Sequence, residues 1–294
     1  MPAQLYRFAW KRNAAFVRTH DAALVAELGR FLDLEPRLEE NPPPGSGETL
    51  VTIAEEDGVF HVATIDWQVR AGSREQLLFA ALEAVGQIFV HNFSGAIFHA
   101  GAFLGESGAV MFFGAPQSGK SSLGFAAWKR NLPLIGDDRV VLLDEGRRIR
   151  PFPKCVKLRL AEDGALPAGA EAVAPEMMVK ADLGHEIRLI LARALPGFSA
   201  YDSEANVNLL VELKRGASGE TSLTPLAPGD ALDSVLENVV SPDFDPMGSS
   251  ASSSARPKAG SCSASRSTRT APNVRSISCS PAEAAYSYSP RLCK

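Results

Sequence analysis

The sequence predicts an α/β fold in which an apolar strand leads through a glycine-rich loop into a helix, preceded by a smaller α+β region. The 294 residues, 45% hydrophobic and 22% charged, are enough to bury a large core. Apolar runs of strand length alternate with helix-like segments along the chain. The stretch "FFGAPQSGKSSLGFAAWKR" at 112–130 places glycines and a lysine between a predicted strand and a predicted helix.

Residues 1–73 form the predicted α+β region. In "HDAALVAELGRFLDL", residues 20–34, apolar positions recur at spacings of three and four, which predicts a helix. The segment "TLVTIAEEDGVFHVATIDWQVR" alternates apolar and polar residues and carries Asp57-Gly58 in its middle. This pattern favours a β-hairpin with a tight turn.

Residues 74–246 form the predicted α/β domain. It opens on "SREQLLFAALEAVGQIFVH", in which Ser73 serves as N-cap and Glu75 follows early in an amphipathic helix. The segment 96–114 reads as two short apolar strands around the turn "GESG", and "SSLGFAAWKR" after it reads as a helix.

The rest of this domain continues the alternation. The segment "LPLIGDDRVVLLDEGRRI" contains two apolar runs separated by an acidic pair. We expect two later strands and one helix, in the segments "EIRLILARAL" at 186–195, "VNLLVELKRG" at 207–216 and "GDALDSVLENVV" at 229–240.

Composition changes abruptly near residue 247. The segment 247–294 is rich in serine and basic residues, has Glu283 as its single acid, and shows no apolar periodicity. Such a segment cannot offset its ordering entropy, so we expect a disordered tail. The abrupt change fits a frameshifted end equally well, and the tail is assigned no function.

Charge and composition exclude several classes of protein. The net charge of −4 argues against a nucleic-acid partner, because such binders usually carry a basic excess. No apolar run approaches the roughly 20 residues that span a bilayer, so no membrane partner is expected. The N-terminus lacks the apolar stretch of a signal peptide, and the four cysteines show no metal-ligand spacing. We therefore expect a cytoplasmic protein.

The segment from Gly114 to Ser121 fits the pattern G-x-x-x-x-G-K-[ST]. Glycines let backbone N–H groups approach phosphate oxygens, and the start of a helix adds partial positive charge. Lys120 is expected to reach the β- and γ-phosphates of ATP, and the Ser121 hydroxyl to bind Mg²⁺. The residues expected to surround the phosphates are Gly114, Ala115, Pro116, Gln117, Ser118, Gly119, Lys120, Ser121 and Ser122.

A nucleotide site also needs a carboxylate near Mg²⁺, and two acidic pairs follow the loop. Asp137-Asp138 and Asp144-Glu145 bracket one short strand, so at about 3.3 Å per residue they lie roughly 20 Å apart and cannot share one metal. The ending "VVLLDE" resembles the Walker B motif of motor-type ATPases, but a Walker B carboxylate normally lies much further beyond the loop than Asp144 does. Adjacent aspartates can divide the work, one binding metal and the other accepting a proton. Gly136-Asp137-Asp138 could equally be a plain turn.

Together these residues resemble a known family. The run "FHAGAFLGESGAVMFFGAPQSGKSSL", followed by "LPLIGDDRVVLL", is similar to the catalytic domain of HPr kinase/phosphorylase and its bacterial relatives. The resemblance implies a nucleotide-binding fold like that of phosphoenolpyruvate carboxykinase and transfer of the γ-phosphoryl group of ATP to a serine hydroxyl. It also implies that one of Asp137 and Asp138 is the base and the other a metal-side acid, that His99 lies beside the phosphates, and that Asp137 and Ser121 are metal ligands. Between the two aspartates we favour Asp138 as the base, and the choice stays open at this point.

The resemblance implies a kinase for a serine-containing protein or peptide, with ATP and Mg²⁺ as cofactors and a possible homo-oligomer. Lys154, Lys157 and Arg159 could contact phosphate or remain solvated. The family's downstream glycine-rich segment with a Glu and an Arg is not found here, which keeps an ATP-binding sensor or scaffold as an alternative. A small-molecule kinase, or an ATP hydrolase that uses Asp144-Glu145, also stays open.

Overall fold

The computed structural model describes residues 2–41, 46–116, 118–159, 178–182, 186–191, 203–215, 222–240 and 273–279. The α-helices in these ranges are α1 (Ala22–Leu32), α2 (Arg74–His91), α3 (Lys120–Lys129) and α4 (Pro228–Leu236). The strands are β1 (Gln4–Trp10), β2 (Asn13–Thr19), β3 (Arg37–Glu39), β4 (Leu50–Glu56), β5 (Val59–Ala63), β6 (Gln68–Ala71), β7 (Ala96–Phe98), β8 (Ala100–Gly105), β9 (Gly108–Phe113), β10 (Leu134–Gly136), β11 (Val140–Leu143), β12 (Arg148–Pro151), β13 (Val156–Arg159), β14 (Met178–Asp182), β15 (Glu186–Ile190), β16 (Ala205–Arg215), β17 (Ser222–Pro225) and β18 (Asn273–Cys279).

The described residues up to Ala71 include the six strands of one sheet, in the order β3-β1-β2-β4-β5-β6. The predicted hairpin is confirmed: β4 and β5 pair antiparallel, and Asp57 and Gly58 both have positive φ, as a tight two-residue turn requires. The predicted helix is confirmed as α1, where the Asp21 side chain accepts a hydrogen bond from the Leu24 N–H at 2.8 Å. The structure also contains a β1–β2 hairpin that the sequence does not predict. Its turn places Lys11 at positive φ without a glycine that would signal it.

Helix α2 joins the six-stranded sheet to the rest of the fold. Ser73 caps it as predicted, accepting a hydrogen bond from the Gln76 N–H. The expectation of an amphipathic helix is wrong for its central turns, because α2 is buried on most sides. Its apolar side chains share one core with the first sheet and with Phe152, Cys155 and Leu189 from later in the chain.

A larger mixed sheet follows, in the order β10-β8-β9-β16-β12-β11-β7. Its two apolar runs around the acidic pair form β10 and β11, and the predicted later strands and helix correspond to β15, β16 and α4. Strands β9 and β10 are each antiparallel to β8, so they run in the same direction. Their carboxyl ends therefore meet at one edge of the sheet. The glycine-rich loop leaves β9 at this edge and the acidic pair leaves β10 there.

Two smaller features complete the described part of the fold. Strands β13, β15 and β14 form a three-stranded antiparallel sheet. Strand β18 pairs parallel to the second half of β16, beyond the point where β12 stops pairing with that strand. For these seven residues the structure differs from the expectation of a disordered tail, because an open strand edge supplies hydrogen bonds that composition cannot reveal. The rest of 247–294 lies outside the described residues.

Within the described ranges, no helix is both long enough and apolar enough to cross a bilayer.

Candidate functional site

The glycine-rich loop connects β9 to α3 through two glycines with positive φ. Gly114 has a φ of 147°, and a Cβ on it would lie 2.4 Å from the Leu213 carbonyl oxygen of β16. Gly119 has a φ of 102°, and a Cβ there would meet no atom within 4 Å. The first glycine thus seats the loop against the sheet, and the second leaves open space before α3. Gln117 lies outside the described residues.

The first turn of α3 leaves polar groups available in this space. Gly119 is the N-cap residue and offers no side chain to the helix N–H groups. The Ser118 hydroxyl oxygen is buried and has no hydrogen-bond partner among the described residues. A helix start without a side-chain cap, beside a hydroxyl without a partner, suits an anion such as phosphate.

Lys120 lies inside the loop and is only 8% exposed. Its Nζ donates hydrogen bonds to the carbonyl oxygens of Gly114, at 2.7 Å, and Ala115, at 3.1 Å. Burial lowers the pKa of Lys120, while the nearby carboxylates of Asp138 and Asp137 oppose that effect. The structure therefore brings the loop lysine and the predicted acidic pair into one electrostatic environment.

Asp137 is the more buried member of the pair, at 6% exposure. Its Oδ2 accepts a hydrogen bond from the Lys157 backbone N–H at 3.2 Å, and the Ser121 hydroxyl also bonds to its carboxyl group. Burial, followed by the charge of Asp138, raises the pKa of Asp137 to about 6. Ser121 and Asp137, the two expected metal ligands, are thus in contact.

Asp138 faces cations and keeps a quarter of its side chain exposed. Lys154 Nζ lies 2.5 Å from its Oδ2, and His99 Nε2 lies 3.3 Å from its Oδ1. Burial by itself raises the pKa of Asp138, but Lys154, His99 and Lys157 hold that pKa well below its usual range. His99 is positioned by its backbone N–H, which donates to the Asn238 carbonyl oxygen at 2.8 Å.

Comparisons with known proteins give distant structural likenesses and no sequence match. No protein-family model and no curated protein sequence matches the chain. A solved structure that is similar in part is that of the Hpr(Ser) kinase/phosphatase from Coxiella burnetii. It has 16% sequence identity and a TM-score of 0.29, and the match covers 64% of this chain and 81% of that one. A likeness of this degree does not establish a shared activity.

The second acidic pair lies at the other end of β11. Asp144 follows the last residue of that strand, is about half exposed, and forms an ion pair with Arg148 on the surface. Asp137 and Asp138 follow β10 at the same edge of the sheet as the glycine-rich loop, and their charges act on the pKa of Lys120. The structure thus brings Asp137-Asp138, and not Asp144, beside the loop; the Glu145 side chain lies outside what the structure describes.

The sequence analysis missed Glu83. This residue of α2 contacts Lys157 Nζ at 2.6 Å and Lys154 Nζ at 3.3 Å, and Arg139 lies 3.9 Å away. Burial acts to raise its pKa, but Lys154, Lys157 and Arg139 together lower the pKa of Glu83 to about 2. The available signal was a lone charged residue within the apolar run 77–90.

The two lysines that the sequence left undecided join this site, while Arg159 belongs to β13 with its side chain outside the described part of the chain. Burial lowers the pKa of Lys154, which is 7% exposed, whereas Asp138 and Glu83 outweigh burial and raise the pKa of Lys157.

In the described ranges, no group of three or more His, Cys, Asp or Glu side chains forms a metal cluster. Mg²⁺ held by one carboxylate, one hydroxyl and phosphate oxygens needs no such cluster.

Proposed function

We propose that this chain is an ATP- and Mg²⁺-dependent kinase that transfers the γ-phosphoryl group to a serine, or another hydroxyl, of a protein or peptide. The observation that carries the proposal is the convergence of Lys120 and the Asp137–Asp138 pair at one edge of the sheet. A loop lysine and an ionisable acidic pair are the groups that phosphoryl transfer needs for charge neutralisation and proton removal. The residues around the loop also fit the nucleotide.

The loop residues would hold the phosphates of ATP. Gly119 leaves open space before α3, and no side chain caps the N–H groups at the start of this helix. Lys120, now bonded to loop carbonyl oxygens, would exchange those partners for phosphate oxygens. ATP supplies the phosphoryl group, and Mg²⁺ neutralises the phosphate charge. Ser121 and Asp137 would hold the metal because they already contact each other.

The two aspartates have different suitability as base. Basicity favours Asp137, whose pKa is raised to about 6, over Asp138, whose pKa is held low. Access favours Asp138, because its side chain is a quarter exposed whereas Asp137 is nearly buried. We therefore propose Asp138 as the base on the ground of access, since a base must touch the hydroxyl that it deprotonates. A cation beside Asp137 would also lower its pKa and remove its advantage.

In the transfer step, an Asp138 carboxylate oxygen accepts the proton of the acceptor hydroxyl. The hydroxyl oxygen then forms its bond to the γ-phosphorus while the bond from phosphorus to the β,γ-bridging oxygen breaks. Lys120 balances the charge that moves to the leaving oxygen, and ADP departs. His99 contacts the other oxygen of Asp138 and would fix the direction of the carboxylate.

The test uses γ-labelled ATP, Mg²⁺ and a library of serine-containing peptides with the full-length protein. We expect label on peptide serine with the wild type, and at least about 100-fold less with Lys120→Ala or Asp138→Asn, as for removal of groups that act in the transition state. Asp144→Asn is the matched control, because it removes an acid at the other end of β11. The proposal fails if label transfer survives in Asp138→Asn and is lost in Asp144→Asn.

A second candidate function is nucleotide binding without transfer. The observation that favours it is the ion pairing of Asp138 with Lys154, which makes this carboxylate a poor base. A sensor of this kind would bind ATP, lose binding in Lys120→Ala, and label no peptide or protein. Equal ATP affinity in Asp138→Asn and wild type, with no label transfer by either, would favour this candidate over the kinase.

A further inference from the structure

Glu83 lies outside the nucleotide-binding elements yet contacts the cations of the site. Its Oε1 lies 2.6 Å from Lys157 Nζ and 3.3 Å from Lys154 Nζ, and its Oε2 lies 3.9 Å from Arg139 Nη2. The side chains of the other residues at 77–90 are uncharged. Glu83 thus places a carboxylate of the largely buried helix α2 next to the cations of the site.

The same two ammonium groups also reach Asp138. Lys154 Nζ lies 2.5 Å and Lys157 Nζ lies 3.9 Å from Asp138 Oδ2. Two carboxylates on different elements therefore share two lysines. The lysine side chains are 7% and 21% exposed, so water screens these charges poorly and each depends on its partners.

The balance of charge depends on Glu83. With this carboxylate ionised, Glu83 contacts all three cations, and Asp138 contacts two of them, Lys154 and Lys157. Without its charge, the ion pairs of Lys154 and Lys157 with Asp138 remain, and all three cations lose their contact with an anion on α2. The surplus positive charge would draw both lysines toward Asp138, because the opposing attraction of Glu83 is gone.

We propose that Glu83 is a positioning residue for phosphoryl transfer: it holds the Lys157 ammonium group on α2 and shares that of Lys154, so that Asp138 is not fully paired with both lysines and can still contact the acceptor hydroxyl. The inference rests on the proposed kinase function and deepens it. Glu83 itself touches neither nucleotide nor acceptor. Its role is to compete with Asp138 for ion pairing with the two lysines.

The main variant is Glu83→Gln, which keeps the shape of the side chain and removes its charge. We expect kcat to fall at least about tenfold while KM for ATP stays within about twofold, because Lys120 and its loop do not contact Glu83. Glu106→Gln is the matched control, since Glu106 lies in the exposed β8–β9 turn. Unchanged kcat in Glu83→Gln would overturn the proposal.

A purely structural role gives a different result. It would lower the number of nucleotide-binding sites per milligram and leave kcat per site unchanged, so sites are counted by ATP binding in every variant. The double variant Glu83→Gln/Lys157→Gln removes the surplus charge, and we expect kcat near that of Lys157→Gln alone. Simple multiplication of the two single losses would contradict the shared-lysine arrangement.

Side-chain NMR of ¹⁵N-labelled lysine separates this inference from the kinase proposal. We expect the Lys154 and Lys157 ammonium signals to shift in Glu83→Gln and not in Glu106→Gln. If the wild type transfers no phosphate, the kinase proposal fails. Shifted lysine signals would then still support the positioning by Glu83, and unchanged ones would overturn it. Should Glu83→Gln not fold, Glu83→Asp decides the matter by the same signals, because it withdraws the carboxylate by one methylene.

Discussion

Replacing Gly114 by alanine tests how the loop is seated on the sheet. The φ of 147° at Gly114 is one that residues with a Cβ rarely adopt. The added Cβ would lie 2.4 Å from the Leu213 carbonyl oxygen and 3.0 Å from the Ser118 hydroxyl oxygen. The closer atom belongs to the backbone of β16, inside the central sheet, and cannot move aside cheaply. Gly119→Ala is the matched control, because it has positive φ and open space.

The magnitude follows from two costs. A residue with a Cβ at such a φ costs about 1–3 kcal/mol, and forcing a methyl group against packed atoms costs about 1–3 kcal/mol more. Gly114→Ala should therefore lower the free energy of unfolding by about 2–6 kcal/mol, a large share of the roughly 5–15 kcal/mol of a typical domain. Gly119→Ala meets only the first cost, so it should lower stability by about 1–3 kcal/mol.

The assay is urea denaturation of the wild type and both variants, followed by circular dichroism, with ATP affinity measured on the folded proteins. We expect Gly114→Ala to unfold at a lower urea concentration than Gly119→Ala, with similar slopes. Equal midpoints for the two variants would refute the reasoning. A Gly114→Ala protein as stable as the wild type would refute it more strongly, because both costs would then be absent.

Three further predictions concern other parts of the molecule. Asp138→Asn should abolish label transfer while Asp144→Asn leaves it within about twofold, measured as peptide phosphorylation, because only the former acid lies beside the loop. Asp21→Ala should cost about 1–2 kcal/mol of unfolding free energy and Asp21→Asn less, because asparagine retains the N-cap hydrogen bond of α1; equal losses in denaturation would contradict this. Glu83 has a folded pKa of about 2, below its ordinary 4.5, so its ionised form stabilises the fold above pH 4.5 and this stabilisation disappears as the pH falls toward 2. The stability gap between wild type and Glu83→Gln, on the order of 3 kcal/mol at neutral pH, should narrow over that window in acid denaturation, and a constant gap would count against it.

Local patterns predicted much of the fold. The Asp57-Gly58 turn, the Ser73 N-cap and the strand–loop–helix around Lys120 depend on a few adjacent residues, whose conformational preferences act over one turn. The β1–β2 hairpin escaped prediction because Lys11 adopts positive φ without a glycine to signal it. Strand β18 escaped because its order depends on the open edge of β16, which is remote in sequence.

The sequence by itself determined the glycine-rich loop, its lysine, and the presence of acidic pairs downstream, since these are set by residue type and spacing. Only the tertiary structure decided which pair faces Lys120, because the shared direction of β9 and β10 brings Asp137 and Asp138 to the loop and leaves Asp144 at the opposite end of β11. The tertiary structure also decided the contacts of Glu83 with Lys154, Lys157 and Arg139. Charge interactions act through space at a few ångströms, whereas sequence patterns record only neighbours along the chain.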